Sequence, residues 1–487
     1  MLSFTVAGGG ISGLSTAFHL AHRFPPTSGA RITLIEKASR LGGWVQAERV
    51  KVKHAGHETE ILLESGPRTL RPNSKAILEL VNLLDLTSSL LTVPQTAPAA
   101  LNRFLHIPGT GGLTTIPTSL SLLVRSPLAK LLVSSVVRNA AFSFKLVFFT
   151  DVPADESVDA FMTRHFGEDF ARTLGSALVH GIYAADSRLL SVRAAFPTLR
   201  DAEERGRGSL VRGMFVAPKK VASAGQDSYE IGGVEEMMKG VSVYSFKNGI
   251  ELLTTAMEAW LRARENVELV VGEDVSALRR DDQGRQFEVT TSSERRITSS
   301  HLLSALPLPV LHRILSRPSP TSVPSSLPEL PHLLANPTSS VTVVNLVFPP
   351  SSNPIHPAGF GYLVPRSATD YPRPPLEYSA RYSDPGFTKV TMMLGGPYPN
   401  APTPSPNAPS FIPTLLSTLQ RQLGRAEPLP DPCVIRIRQH SDCIPTPGVG
   451  HMQRVAKLHA AVRERWGPNA VLVGAGGGRR AALTLQV

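Results

Sequence analysis

Gly8, Gly10 and Gly13 stand in the spacing G-x-G-x-x-G within GGGISGL, and an acid, Glu36, follows about twenty residues later. The chemistry that suits this pattern is dinucleotide binding. Glycine permits a tight turn and close backbone approach to a pyrophosphate. The next helix would aim the N–H groups around Ile11 and Ser12 at phosphate oxygens, and the carboxylate would accept hydrogen bonds from ribose hydroxyls. Alone, a glycine triplet is a weak signal, because turns collect glycine. Here it follows an apolar run, opens a helical pattern, and precedes a second apolar run that ends on the acid.

The elements that must hold these residues are legible around them. LSFTVA reads as a strand, LSTAFHLAHRF has helical apolar spacing, and ITLIE reads as a strand ending on Glu36, which together make a βαβ unit. Residues 126–149 are strongly apolar, with Lys130, Arg138 and Lys145 interspersed. That pattern suits either an amphipathic core helix or a helix lying on a membrane surface. PADESVDAFMTRHFGEDFARTLGSALVH is helical with one glycine break, and residues 245–264 read as a glycine turn and a helix. VELVVGEDVSALRRDD, FEVTTS and HLLSALPLPVL read as strands of a second, β-rich unit. SVTVVNLVF and KVTMMLGG are two further strands separated by a proline-rich stretch.

The chain of 487 residues suggests two or three domains, and 42% hydrophobic against 18% charged residues suits buried cores. Two cysteines, Cys433 and Cys443, make no disulfide framework. A net charge of +11 calls for an anionic substrate or membrane surface. Nucleic acid is not expected, because the arginines are scattered and no helix-turn-helix, zinc finger or aromatic-basic motif is present. No metal-ligand constellation stands out, no run reads as a transmembrane helix, and no presequence is read before LSFTVA.

After Glu36 comes KASRLGGWV, with Lys37, Arg40, Gly42, Gly43 and Trp44. Its RxGG resembles the extension that follows the FAD-binding βαβ unit of the flavoprotein amine-oxidase superfamily, which favours FAD over NAD. LESGPRTLRP, LNRFLHIPG, HGIYAADSRLLSVRAAFP, VTVVNLVF, GFGYLVP, VTMMLGG and CIPTPGVGH then follow in order. This set resembles the protoporphyrinogen oxidase family in its eukaryotic, fungal form, from Ser3 to about Gly476.

The resemblance implies an α/β fold with three parts. These are an FAD-binding Rossmann-like domain of glutathione-reductase type, a β-rich α+β substrate domain and a helical membrane-binding domain. The FAD domain would be split over residues 1–90, 245–308 and 452–487, with the helical part at 91–244 and the substrate part at 309–451. It also implies oxidation of protoporphyrinogen IX to protoporphyrin IX with molecular oxygen as acceptor and hydrogen peroxide released, the penultimate step of haem synthesis. Monotopic attachment to the mitochondrial inner membrane is implied as well, and dimers are common in the family. Beside Gly8, Gly10, Ile11, Ser12, Gly13, Glu36, Lys37, Arg40, Gly42, Gly43 and Trp44, it places Gly66, Pro67 and Arg68 at the flavin. For Arg68 a structural salt bridge is the alternative reading.

At the substrate, the resemblance gives Arg103 of LNRF the propionate, which a guanidinium can grip in bidentate fashion. Phe360 and Leu363 would sandwich the macrocycle, Met393 would line the cavity, and the backbone of Gly181 would lie beside the ring. Some relatives carry arginine before that glycine, where this chain has His180. His180 and His451 have no visible partner acid, so no general base is assigned; the flavin carries the electron chemistry. LEYSARYSDPGF departs from the family's aspartate-serine segment after GFGYLVP.

The chain closes with LVGAGGGRRAALTLQV. In the family about a dozen residues that contact the flavin separate the strand LVGA from the helix beginning GRRAA, whereas here Gly476 and Gly477 join them. Two explanations stand: a gene-model or splicing omission, or a chain that has lost a wall of its flavin site. Three functional readings remain. They are a protoporphyrinogen oxidase, another FAD oxidase or desaturase of the superfamily, and a flavin-poor, inactive product.

Overall fold

The computed structural model describes residues 2–54, 56–117, 120–145, 153–216, 229–281, 284–317, 329–368, 376–377, 386–397 and 405–474. The glycine pattern lies in a five-stranded, wholly parallel sheet in the order Ala470–Leu472, His301–Ser304, Ser3–Ala7, Arg31–Glu36, Val267–Val271. These strands come from three distant parts of the chain. Alternation sends Val6, Ile32 and Leu34 to one face, where helices Ile11–Arg23 and Glu251–Arg262 cover them with Leu14, Phe18, Leu253 and Met257. Ala7, Ile35, Leu302 and Leu472 point to the other face, against Leu458, Val462 and Trp466 of helix His451–Trp466.

The strand pattern alone put Val267–Val271 and His301–Ser304 in a second, β-rich unit, and that reading is corrected: they pair in the parallel sheet beside the glycine motif, within the 245–308 stretch that the resemblance gave to the FAD domain. Between them an antiparallel ribbon of Val275–Arg280, Phe287–Thr291 and Arg296–Ser299 crosses over. Short apolar runs leave register open, and only their long-range partners decide it.

A second sheet has seven strands in the order Val434–Pro445, Thr338–Phe348, Thr388–Gly395, Leu376–Glu377, Gly361–Leu363, Phe104–His106, Leu113–Thr115. All neighbours are antiparallel except Gly361–Leu363 with Phe104–His106. Val344, Leu346, Met392 and Tyr362 face helix Phe411–Gln422. The expectation put residues 104–115 in a helical segment; instead they extend this sheet. The helical part that follows returns at Val241–Phe246, which pairs with Leu90–Pro94. Its core gathers Phe161, Val179, Leu190 and Val192 around a buried Glu203, which is bonded to Arg164, His165 and Arg200. Among the described residues no helix is long and apolar enough to cross a membrane.

Candidate functional site

Backbone geometry at the glycine turn shows what each glycine does. Gly8 has φ +102° and donates its N–H to Ile35 O at 2.8 Å. A Cβ on Gly13 would stand 1.8 Å from the Gly8 carbonyl oxygen, so the helix touches the strand only because no side chain intervenes. A Cβ on Gly10 would meet no atom of the described residues within 4 Å. Gly10 is the N-cap of helix Ile11–Arg23, and no side chain caps that end. The helix start therefore opens onto space in which a phosphate can be bound by N–H groups. Glu36 ends its strand as expected, and its carboxylate accepts from Gly9 N at 2.7 Å and Ala38 N at 2.9 Å. These bonds fix its direction and leave lone pairs for a ribose. Lys37 beside it is exposed.

The RxGG loop packs on this turn. Gly42 N donates to Gly9 O at 2.9 Å, and a Cβ on Gly43 would lie 3.1 Å from Gly10 Cα. Gly42 and Gly43 hold φ of +101° and +60°, which glycine adopts without strain. Arg40 turns back on its own loop, donating to Leu41 O and Val45 O at 2.9 and 3.3 Å, and lies 3.7 Å from Glu251. Its place is thus the framework of the loop. Trp44 is 49% exposed and meets the His440 ring edge-on at 4.9 Å.

Gly66, Pro67 and Arg68 continue from strand His57–Glu64, which pairs with Ala47–His54. Arg68 is buried, and its guanidinium lies 5.7 Å from the centroid of the Phe360 ring, a cation–π contact. This contact joins a residue expected at the cofactor to one expected at the substrate. Glu64, just before, is buried; its Oε1 accepts from Ile250 N at 2.9 Å, and its Oε2 has no hydrogen-bond partner among the described residues. Burial pushes its carboxyl up to about 7, against the smaller opposing pull of the Ile250 N–H, Lys389 and Arg68.

The register of the seven-stranded sheet sorts the expected substrate residues. Strand Leu376–Glu377 links Tyr362 and Met392 in register, and these two side chains share the face packed on helix Phe411–Gln422. Leu363 and Met393, one residue on, therefore share the opposite face. Leu363 pairs with Leu105, so alternation puts Arg103, exposed and one residue before its strand, on that face too. Helix Ser176–Tyr183 closes over it: a Cβ on Gly181 would come within 2.3 Å of Leu363 Cδ2. His180 Nε2 lies 3.1 Å from Gly395 O, and His451 Nδ1 lies 3.3 Å from Asn336 Nδ2. Both histidines are engaged in structural contacts. Residues 378–385 of LEYSARYSDPGF lie outside the described residues.

Sequence reasoning missed several neighbours of the site. Gly474, with φ +89°, ends the described chain against Ser12, whose Oγ would be 3.1 Å from an added Cβ. The last parallel strand thus delivers the chain to the first helix. The segment from Ala475 onward, with the join at Gly476 and Gly477, lies outside the described residues. His440 and Ser65 were also missed. Ser65 was visible inside LESGPRTLRP, but nothing local singled out His440.

The arrangement is that of a flavoprotein: a dinucleotide turn at the carboxyl ends of a parallel sheet, joined through Arg68 to a second sheet. Residues 11–466 match the model of the flavin containing amine oxidoreductase family. The Schizosaccharomyces pombe protoporphyrinogen oxidase is 29% identical, covering 97% of this chain and 94% of that protein. Human protoporphyrinogen oxidase is 31% identical, covering 92% and 89%. The crystal structure of an Exiguobacterium protein, provisionally assigned as a protoporphyrinogen oxidase, superposes with a TM-score of 0.69 at 21% identity, covering 100% of this chain and 96% of that one. The chain belongs to the flavin containing amine oxidoreductases, and within them to the protoporphyrinogen oxidase family. It is an oxidoreductase of the FAD-dependent kind.

Proposed function

We propose that this protein oxidises protoporphyrinogen IX to protoporphyrin IX with molecular oxygen as final acceptor. The observation that carries the reading is the Arg68–Phe360 contact, which joins the segment leaving the cofactor turn to the sheet that bears Leu363 and Met393. Gly8, Gly10, Ile11, Ser12 and Gly13 would hold the pyrophosphate of FAD, Glu36 its ribose, and Gly42, Gly43, Trp44, Gly66 and Pro67 would pack about the rest. Arg68 is assigned to the junction of the two sites. The open space at Gly10 and the fixed carboxylate of Glu36 fit that cofactor. When bound, FAD supplies a two-electron acceptor that oxygen can regenerate.

What the chain itself supplies is position. Arg103 grips a propionate, Phe360 and Leu363 hold the macrocycle between them, and Met393 lines the face that bears Leu363. Gly181 lets helix Ser176–Tyr183 approach closely enough to exclude water. The reading predicts that protoporphyrinogen IX added without air bleaches the flavin band. It also predicts that admitting air restores the band as porphyrin fluorescence and peroxide appear. A flavin that bleaches with an amine and not with the porphyrinogen would overturn it.

We also assign a membrane-surface role to the helical part. In helix Ala129–Lys145, Val133, Val136 and Val137 are exposed on one face, while Ser135 and Asn139 are buried. Leu131 and Leu132 pack inward beside Leu128, so the valines form a second apolar face that an amphipathic core helix would not need. Leu122, Val124, Met214 and Phe215 are exposed nearby in sequence or on a helix that contacts this one, and Lys130 and Arg138 are exposed for lipid headgroups. The Lys145 side chain lies outside the described residues. The mitochondrial inner membrane is the surface assigned, and two copies of the chain the expected assembly.

A second reading follows from the C-terminal join: a chain that binds FAD poorly. Gly474 on Ser12 favours it, because whatever follows starts at the nucleotide turn. The visible spectrum of the purified protein, beside that of a version carrying the family's longer segment, separates the two readings.

A further inference from the structure

The strand that leads to Gly66 is held from the side. Four successive carbonyls, of Leu62, Leu63, Glu64 and Ser65, take side-chain donors from three strands of the seven-stranded sheet. Lys389 Nζ reaches Leu62 O at 2.7 Å, Arg436 Nη1 reaches Leu63 O at 3.5 Å, and Asn345 Nδ2 reaches Glu64 O at 3.1 Å. His440 Nε2 reaches Ser65 O at 2.6 Å. Asn345 is itself oriented by Thr391 Oγ1, which donates to its Oδ1 at 2.9 Å. Register puts Asn345 opposite Arg436 and Thr391, and Val341 opposite His440, so these donors share the face that bears Leu363 and Met393. The last rung is the shortest bond of the four and the nearest to Gly66, Pro67 and Arg68. A carbonyl can only accept, so the bond requires a proton on Nε2. Trp44 packs edge-on against the same ring, which ties the RxGG loop to it.

We propose that His440 is a positioning residue for the reaction. Through the Ser65 carbonyl it fixes Gly66–Arg68, and with them the contact of Arg68 on Phe360, between cofactor and porphyrin. The proposal rests on the functional reading above, since it takes Arg68 and Phe360 to stand where the two sites meet. Removing one charge-assisted or short hydrogen bond at a buried loop is worth up to about tenfold in local opening or in binding.

The test compares H440A with H440Q, whose amide nitrogen can stand near the place of Nε2, in the full chain. Hydrogen–deuterium exchange of the peptides spanning residues 62–70 is read beside quenching of protoporphyrin IX fluorescence and the shape of the flavin band. The expected result is exchange about tenfold faster at Gly66 and Arg68 in H440A, with weaker porphyrin binding and an altered flavin band, and recovery of all three in H440Q. Unchanged exchange in H440A overturns the proposal. So does faster exchange with unaltered porphyrin binding and flavin band, which would make the bond structural only. If the unmodified chain binds neither flavin nor porphyrin, the functional reading falls, while the exchange comparison still decides whether His440 holds the segment.

Discussion

Gly10 and Gly13 lie three residues apart and answer to different demands. A methyl group at Gly13 collides with the Gly8 carbonyl at 1.8 Å, so G13A has to push the helix off the sheet. It is expected to lose about 3 kcal/mol of stability and its flavin together, read by urea unfolding and by absorbance of the purified protein. A methyl group at Gly10 meets nothing of the described residues. G10A should therefore unfold like the parent while its flavin content falls, because the methyl occupies cofactor space. Equal loss of stability in both variants would sink this division of labour. Glu64 makes a pH prediction. Its folded pKa of about 7 lies above the ordinary carboxyl value of 4.5, so the native state binds the extra proton between these values and stability falls as pH rises through the window. Above pH 7 the ionised form carries its full penalty, on the order of 3 kcal/mol. E64Q should remove that slope and be the more stable protein at pH 8, as thermal unfolding at pH 5 and pH 8 would show. For Arg103 the expected outcome of R103A is KM for the porphyrinogen raised about tenfold to a hundredfold with kcat little changed, the loss of a charge-assisted pair made in ground and transition state alike.

At the scale of elements, helix Ala129–Lys145 presents an apolar stripe outward and carries Asn139 inward, where its Nδ2 lies 3.1 Å from Nδ1 of the buried His165. Val133 and Val136 are half or more exposed and belong to none of the buried clusters of the described residues, so V133E/V136E should leave the unfolding temperature of the protein in buffer nearly unchanged. Its partition to vesicles containing anionic lipid should drop by tenfold or more, since each valine withdrawn from lipid forfeits about 1.5 kcal/mol. Flotation of the two proteins on the same vesicles reads this directly, and equal partition would remove the helix from the membrane face. The sequence showed this segment as apolar with interspersed cations, but which side of the helix met the core was not legible. Periodicity gives a stripe and does not say what covers it. The strands at Phe104–His106 and Leu113–Thr115 were hidden for a related reason. At three residues each they carry no period, and they exist because the edge of the large sheet is there to pair with them.

For the whole molecule the open matter is how the chain closes its nucleotide turn. Three separated stretches supply the parallel sheet, so cofactor occupancy depends on Ala470–Leu472 docking beside His301–Ser304 and carrying Gly474 to Ser12. Binding of FAD to the folded state alone should raise the unfolding temperature with added cofactor, by mass action. If the chain as it stands is colourless and shows no such rise, while the version with the longer segment is yellow, the flavin-poor reading is the correct one.

By itself the sequence determined the βαβ unit and its ligand class, because the glycine turn, the helix start and Glu36 interact within one stretch of about thirty residues. Tertiary structure decided the rest. It assigned Val267–Val271 and His301–Ser304 to the first sheet, turned Leu363 and Met393 to one face, and brought Arg68 over Phe360 and His440 to Ser65. These pairings join residues from about thirty to several hundred positions apart, and local propensity holds no information about them. Register and burial choose them only when the whole chain has packed.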